Sequence, residues 1–187
     1  MNKYLIALDM DGTLLNDKKK VPLLTKLYLK KLQKQGHYIV LASGRPPHAL
    51  EKYYDYIGLT SPLISFNGCY VYNPKDPNFK VTKFEFPKDV IINIYHNLGP
   101  KHIKNMICED LGHIYVNNIT QENKDYLWIG DDIVHEGPTD EILNVNPMTV
   151  IFEAPGKVDE VAVINELNKY EGVNARFWRN TNFTEIY

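Results

Sequence analysis

Cysteine is scarce. Cys69 and Cys108 are the only two in 187 residues, they lie far apart, and they form no CxxC pair. That argues against a disulfide framework and against a thiolate zinc site. No apolar run approaches the ~20 residues needed to span a bilayer. The early run Tyr4-Leu5-Ile6-Ala7-Leu8 is too short for a signal-peptide core and has no cleavage site after it. An excess of one charge is also missing: the net charge is −2 and the isoelectric point about 6.3. Neither nucleic acid nor an anionic membrane is favoured as a partner. The six histidines, His37, His48, His96, His102, His113 and His135, form no i, i+4 metal pair. No repeat or low-complexity segment stands out. A cytoplasmic, reduced protein is the expectation.

What is present is ordinary for a globular chain: 44% hydrophobic and 24% charged residues, enough for one good-sized domain or two small ones. Many of the 13 tyrosines sit on helical apolar stripes, where they read as packing residues. Tyr4 to Leu8 reads as a strand buried on both faces. Pro22 suits a helix start, with Leu24, Leu27, Tyr28 and Leu32 as the apolar stripe and Gly36 as the cap. His37 to Ala42 is a second buried strand. Pro47 opens another helix carrying Leu50, Tyr53, Tyr54 and Ile57, and Gly58 ends it. Pro62 to Phe66 is a third strand. Strand–helix–strand–helix–strand with short links implies a parallel sheet with helical crossovers.

The pattern changes after Asn67-Gly68. Cys69 to Tyr72 and Val81 to Phe86 read as a hairpin around the turn-rich segment 73–78. Pro87 starts a helix with Ile91, Ile94, Tyr95 and Leu98, closed by Gly99. Ile103 to Cys108 and Ile114 to Val116 flank a hairpin turn at Asp110-Leu111-Gly112. Residues 120–144 show weak helical pieces and a loop from His135 to Pro138. Met148 to Glu153 is a strand. Lys157 to Tyr170 is a helix carrying Val158, Val161, Ile164 and Leu167. Two last strands lie at Arg176 to Arg179 and Phe183 to Tyr187. This half reads as antiparallel strands under helices.

The chemistry is concentrated in Asp9-Met10-Asp11-Gly12-Thr13-Leu14, directly after the first strand. In open α/β sheets, ligands bind outside the carboxyl ends of the strands. Two carboxylates there repel unless a cation neutralises them. Asp-x-Asp spacing on an extended chain puts both side chains on one side, so one can attack while the other handles a proton. Hard dications such as Mg²⁺ take carboxylate and carbonyl oxygens and bridge to phosphate. Gly12 permits close backbone approach, exposed N–H groups after the strand can cradle phosphoryl oxygens, and Thr13 adds a hydroxyl donor. Five specified residue types at this spacing arise by chance in a chain this long with a probability on the order of 10⁻⁴.

The second strand ends in Ser43-Gly44-Arg45. Ser43 is placed to hydrogen-bond a phosphoryl oxygen, Gly44 permits approach, and the next helix offers its N-terminus; alone, Ser43 is equally an ordinary N-cap. Arg45 either steadies a phosphate, pairs with an acid near the site, or is solvated. Asn67 ends the third strand at the same edge, as a substrate contact or simply as the turn into the hairpin.

Leu8-Asp9-Met10-Asp11-Gly12-Thr13-Leu14-Leu15-Asn16 resembles the first motif of the haloacid-dehalogenase-like (HAD) superfamily, in its large-capped, Cof-like phosphatase branch. Leu41-Ala42-Ser43-Gly44-Arg45-Pro46 resembles the second motif, and Ser65-Phe66-Asn67-Gly68 the turn into flap and cap. The resemblance implies an α/β fold: a Rossmannoid parallel sheet, here a partial core with the flap hairpin over residues 1–83, and an α+β cap over 84–187. It implies that Asp9 is a nucleophile forming an aspartyl-phosphate, and that Asp11 is the acid and base. Asp9 and the backbone carbonyl of Asp11 would bind Mg²⁺. Met10 and Gly44 would lend N–H groups, and Ser43 its hydroxyl, to the phosphoryl group of a small phosphorylated metabolite such as a sugar phosphate.

The superfamily's later lysine and acidic motifs have no counterpart before Tyr187; Ile129-Gly130-Asp131-Asp132 lies in the cap region and reads as a loop. The expectation is a chain that is marginally stable, self-associates through uncovered core surface, or is a piece of something longer. The alternatives are a phosphate-ligand-binding module without turnover and a phosphoryl transferase of the mutase kind.

Overall fold

The structure, a computed structural model, describes residues 2–124, 127 and 129–187. Two compact units divide the chain, Met1–Phe84 and Glu85–Tyr187. Among the described residues, no helix is long and apolar enough to cross a membrane.

The first unit runs β1 (Leu5–Asp9), α1 (Leu23–Lys34), β2 (Tyr38–Ala42), α2 (Pro47–Ile57), β3 (Leu63–Ser65), β4 (Tyr70–Tyr72) and β5 (Thr82–Lys83). These strands form one sheet in the order β1-β2-β3-β4-β5. The first three are parallel; β4 and β5 turn back antiparallel as a hairpin. Helix α2 starts on Pro47, whose ring presets a helical φ. It stops at Gly58, which at φ 78° adopts the left-handed conformation and donates its N–H to the Tyr54 carbonyl at 2.9 Å. Leu50, Tyr54 and Ile57 recur at i, i+4 and i+7 and are buried against Ile39, Leu41 and Leu63 of the sheet. Each such burial contributes roughly 1.5–3 kcal/mol.

Two expectations fail here. Strand β1 is not buried on both faces: among the described residues it is the sheet's edge and pairs with β2 alone, and Tyr4, Leu5 and Ala7 are exposed. Three of the four stripe residues on α1 face outward as well, Leu32 being the exception. Leu24 is 80% exposed, and Leu27 and Tyr28 are exposed too. The helix packs instead through Leu29, which sits in the cluster of Leu14, Leu15 and Val21, with Leu32 beside it.

The second unit runs α3 (Lys88–His102), β6 (Asn105–Asp110), β7 (His113–Val116), α4 (Gln121–Lys124), β8 (Ile133–Glu136), α5 (Thr139–Ile142), β9 (Thr149–Glu153), α6 (Glu160–Leu167), β10 (Ala175–Phe177) and β11 (Phe183–Ile186). Its sheet has the order β10-β11-β9-β6-β7-β8. Alternation along the strands sends Met106, Cys108, Tyr115, Val150, Phe152 and Ile186 into one cluster with Ile91, Ile94 and Leu98 of α3. Ile107, Ile114, Val116 and Phe183 form a second cluster with Leu127.

Three details differ from the pattern read in the sequence. β8 occupies part of the expected loop and runs parallel to β7, so the sheet is mixed rather than antiparallel. α3 continues past Gly99, with a kink at φ 61° before Pro100. α6 buries Val163, Glu166 and Leu167, while Val161 and Ile164 are exposed. Glu166 can be buried because Asn97 and Lys169 donate to its carboxylate.

Candidate active site

At its C-terminal end β1 passes directly into one wide turn, Met10–Leu14, closed by the Leu15 N–H donating to the Met10 carbonyl at 2.9 Å. Met10 and Leu14 are buried and pin the turn to the core, so Asp9, Asp11, Gly12 and Thr13 stand exposed on it. Gly12 has φ 75°, which favours glycine, and a Cβ there would meet nothing. The conformation sets that choice, not the space. The buried Met10 side chain leaves only its main chain to face a ligand.

Strand register brings the second motif alongside. Asp9 pairs with Ala42, so Ser43 follows immediately at the same sheet edge. The Ser43 N–H donates to the Ile64 carbonyl at 3.0 Å, and its carbonyl accepts from the Asn67 N–H at 3.1 Å. Its hydroxyl accepts from the Arg45 N–H at 3.3 Å. Asn67 itself sits at φ 53°. A Cβ on Gly44 would lie 2.9 Å from Asn67 Oδ1, so glycine there lets the amide rest against the backbone. Asp9, Asp11, Ser43, Gly44, Arg45 and Asn67 thus all stand at the carboxyl ends of three adjacent parallel strands. Thr13 is exposed on the turn beside them.

Arg45 pairs with an acid rather than standing in solvent. It is 3% exposed and grips Asp11 with two bonds, Nε to Oδ2 at 2.9 Å and Nη2 to Oδ1 at 2.7 Å. Its guanidinium carbon lies 5.6 Å from the centre of the Tyr53 ring. The Lys19 ammonium reaches the same carboxylate, 2.7 Å from Oδ1. These partners, the Arg45 hydrogen bonds foremost, hold the Asp11 carboxyl below its usual range against the opposing effect of burial. The Tyr53 hydroxyl donates to the Lys19 carbonyl at 3.1 Å and closes the circuit.

Lys19 and Tyr53 are the site residues that sequence reasoning missed. The signal for Lys19 was a run of lysines after an asparagine that favours tight turns, Asn16-Asp17-Lys18-Lys19-Lys20. Tyr53 was hidden in a packing stripe.

Asp9 offers an exposed carboxylate, and hard oxygen donors suit Mg²⁺. Both carboxylate oxygens of Asp11 are engaged by cations, so a metal here would be met by Asp9 and the main-chain oxygen of Asp11. Among the described residues, no group of three or more His, Cys, Asp or Glu side chains is placed to hold a metal. A groove of the second unit, about 660 Å³ along Tyr95, His96, Lys104 and Asn118, has Asp140 as the one acid among its described lining residues and so offers no carboxylate pair.

A family model described as haloacid dehalogenase-like hydrolase matches residues 6–186. The chain is 30% identical over 161 residues to the 5-amino-6-(5-phospho-D-ribitylamino)uracil phosphatase YitU of Bacillus subtilis (strain 168), covering 86% of this chain and 59% of that one. It is 30% identical over 117 residues to the pyridoxal phosphate phosphatase YbhA of Escherichia coli (strain K12), covering 62% of this chain and 42% of that one. A solved haloacid dehalogenase-like hydrolase from Bacteroides thetaiotaomicron superposes with a TM-score of 0.76 at 22% identity, over 99% of this chain and 71% of that one. A sugar phosphatase of HAD subclass IIB superposes at 0.73 with 19% identity, over 99% and 69%. At these identities the superpositions speak for the α/β fold. The chain spans 59% and 42% of the two curated relatives' lengths.

Proposed function

The chain belongs to the haloacid dehalogenase-like hydrolases, and from that membership we propose that it carries the nucleophile half of a phosphatase site for small phosphorylated metabolites. In this reading the Asp9 carboxylate attacks phosphorus, an aspartyl-phosphate forms, and the bond to the leaving oxygen breaks as Asp11 supplies a proton. Asp11 then takes a proton from the water that releases phosphate. Ser43 Oγ and the N–H groups of Met10 and Gly44 orient the phosphoryl oxygens. Bound Mg²⁺, held by Asp9 and the main-chain oxygen of Asp11, would neutralise charge on the phosphoryl group. Relatives named for phosphorylated ribityl-uracil, pyridoxal phosphate and sugar substrates favour an organic phosphate monoester, and the second unit is proposed as the cap that selects it.

The observation that carries the proposal is the register of β1 with β2, which sets Asp9 beside Ser43 at one sheet edge. The test is phosphate release from a chromogenic phosphate monoester with Mg²⁺, by this chain and by Asp9→Ala. Turnover that Asp9→Ala abolishes supports it; turnover that Asp9→Ala leaves intact overturns it.

One observation favours a second reading, phosphate-ligand binding without turnover: both oxygens of the Asp11 carboxylate are held by cations. Saturable phosphate binding altered by Asp9→Asn, without ester hydrolysis, selects that reading.

A further inference from the structure

Two cations share the Asp11 carboxylate, and they are not equivalent. Arg45 is buried, makes two parallel bonds, and lies against Tyr53. Separating a shielded, bidentate pair leaves a charge stranded away from water and is costly. The Lys19 side chain is 63% exposed and makes one bond, to Oδ1. An exposed pair of that kind costs little to break, because water and salt replace it. An anion arriving at Asp9 therefore competes for Lys19, while Arg45 keeps Asp11 in place.

The Lys19 backbone is built for this position. Its φ of 54° lies in the left-handed region, unusual for a side chain with a Cβ. The turn that enforces it is tied at several points. Asn16 Oδ1 accepts from the N–H groups of Lys18 at 3.1 Å and Lys20 at 3.0 Å. The Lys19 N–H donates to the Asn16 carbonyl at 2.8 Å, and the Asn16 N–H to the Lys20 carbonyl at 3.0 Å. Tyr53 Oη fixes the Lys19 carbonyl. The backbone is held while the ammonium stays accessible. Charge agrees with this: between Asp17 and Glu51 the chain has seven lysines and Arg45 and no acid.

We propose that Lys19 is a phosphate-binding residue, which exchanges the Asp11 carboxylate for phosphoryl oxygens when a phosphate group reaches Asp9, and that Arg45 is a positioning residue for Asp11. This rests on the phosphatase-site reading above.

The experiment is calorimetric titration of the full chain with inorganic phosphate at fixed ionic strength, for the wild type, Lys19→Met, Lys19→Arg, Lys18→Met and Asp9→Asn. Lys19→Met is expected to weaken binding about tenfold, the scale of one charge-assisted bond. Lys19→Arg stays within about threefold and Lys18→Met within about twofold, since the first keeps the charge and the second tests charge alone. Asp9→Asn removes a repelling carboxylate and tightens binding several-fold if phosphate sits at Asp9. Wild-type affinity in Lys19→Met, or an equal loss in Lys18→Met, overturns the assignment of Lys19. If Asp9→Asn leaves phosphate binding unchanged, the site reading itself fails, whatever Lys19→Met does. Lys19 is exposed, so unaltered thermal melting of its variants confirms that each is folded.

Discussion

Arg45 and Asp11 are 34 residues apart in sequence yet meet in a fork, Nε to Oδ2 at 2.9 Å and Nη2 to Oδ1 at 2.7 Å. The arginine sits at the end of β2 and the aspartate in the turn after β1, so the pair ties the first two sequence motifs together through side chains as well as strands. The fork geometry is specific to guanidinium. Arg45→Lys keeps the charge and loses one of the two bonds. Hydrolysis, or phosphate binding where there is no turnover, is expected to fall at least tenfold in Arg45→Lys. Stability should fall by ~1–2 kcal/mol, a range discounted because Asp11 is 41% exposed. Asp11→Ala strands the buried guanidinium and should cost more, ~2–3 kcal/mol. Urea unfolding of the two single variants and the double variant gives the coupling; a coupling energy near zero would mean the fork does not hold the turn.

Gly44 and Asn67 make a steric prediction. An added Cβ would press on Asn67 Oδ1, which is the end of a flexible side chain rather than fixed backbone. The amide gives way, so Gly44→Ala is expected to cost under ~1 kcal/mol of stability. Its effect falls on whatever the Asn67 amide does. If Asn67 contacts substrate, Gly44→Ala and Asn67→Ala should impair the site by similar factors, and the double variant should be little worse than either. Gly12→Ala behaves differently: nothing obstructs its Cβ, but φ 75° costs ~1–2 kcal/mol for an L-residue. Melting temperatures of the alanine variants separate the two mechanisms.

Helix α1 shows what periodicity conveys and what it leaves out. Leu24, Leu27, Tyr28 and Leu32 make a plausible stripe, and the helix does run over Leu23–Lys34. Periodicity cannot say which of two apolar faces meets the sheet, because α1 also carries Leu29. Leu29 is the one that is buried, in the core cluster that also holds Leu14, Leu15 and Val21, and that is a tertiary fact. The same ambiguity misplaced Val161 and Ile164 on α6. The strand-end motifs were legible because their residue types answer to chemistry rather than packing. The Lys19 turn was not, because its role depends on Asp11, itself gripped by Arg45 from 34 residues away, and on Tyr53, 34 residues from Lys19. The expected outcome is a contrast: Leu24→Ala changes stability by less than ~0.5 kcal/mol, and Leu29→Ala costs ~2–4 kcal/mol, read from chemical denaturation. Equal losses would place the stripe in the core after all.

Glu109 gives the second unit a distinct pH response. Burial, with smaller contributions from the charges of Asp132 and Glu185, raises its carboxyl to about 7. Arg176 lies 3.5 Å from Glu185 and partly offsets that neighbour. A carboxyl whose folded value exceeds its unfolded one binds more protons when folded, so stability falls as pH rises between the two values. The contribution of Glu109 is complete below about pH 4.5 and is lost as pH passes through about 7. Wild-type stability should therefore decline from pH 5 to pH 8, by an amount on the order of 2–3 kcal/mol if Glu109 dominates. Glu109→Gln keeps the shape and removes the titration, so its urea midpoint should vary much less over that range and exceed the wild type's at pH 8. A wild-type midpoint that rises toward pH 8, or a Glu109→Gln profile parallel to it, would show that the carboxylate is ionised in the folded protein without penalty.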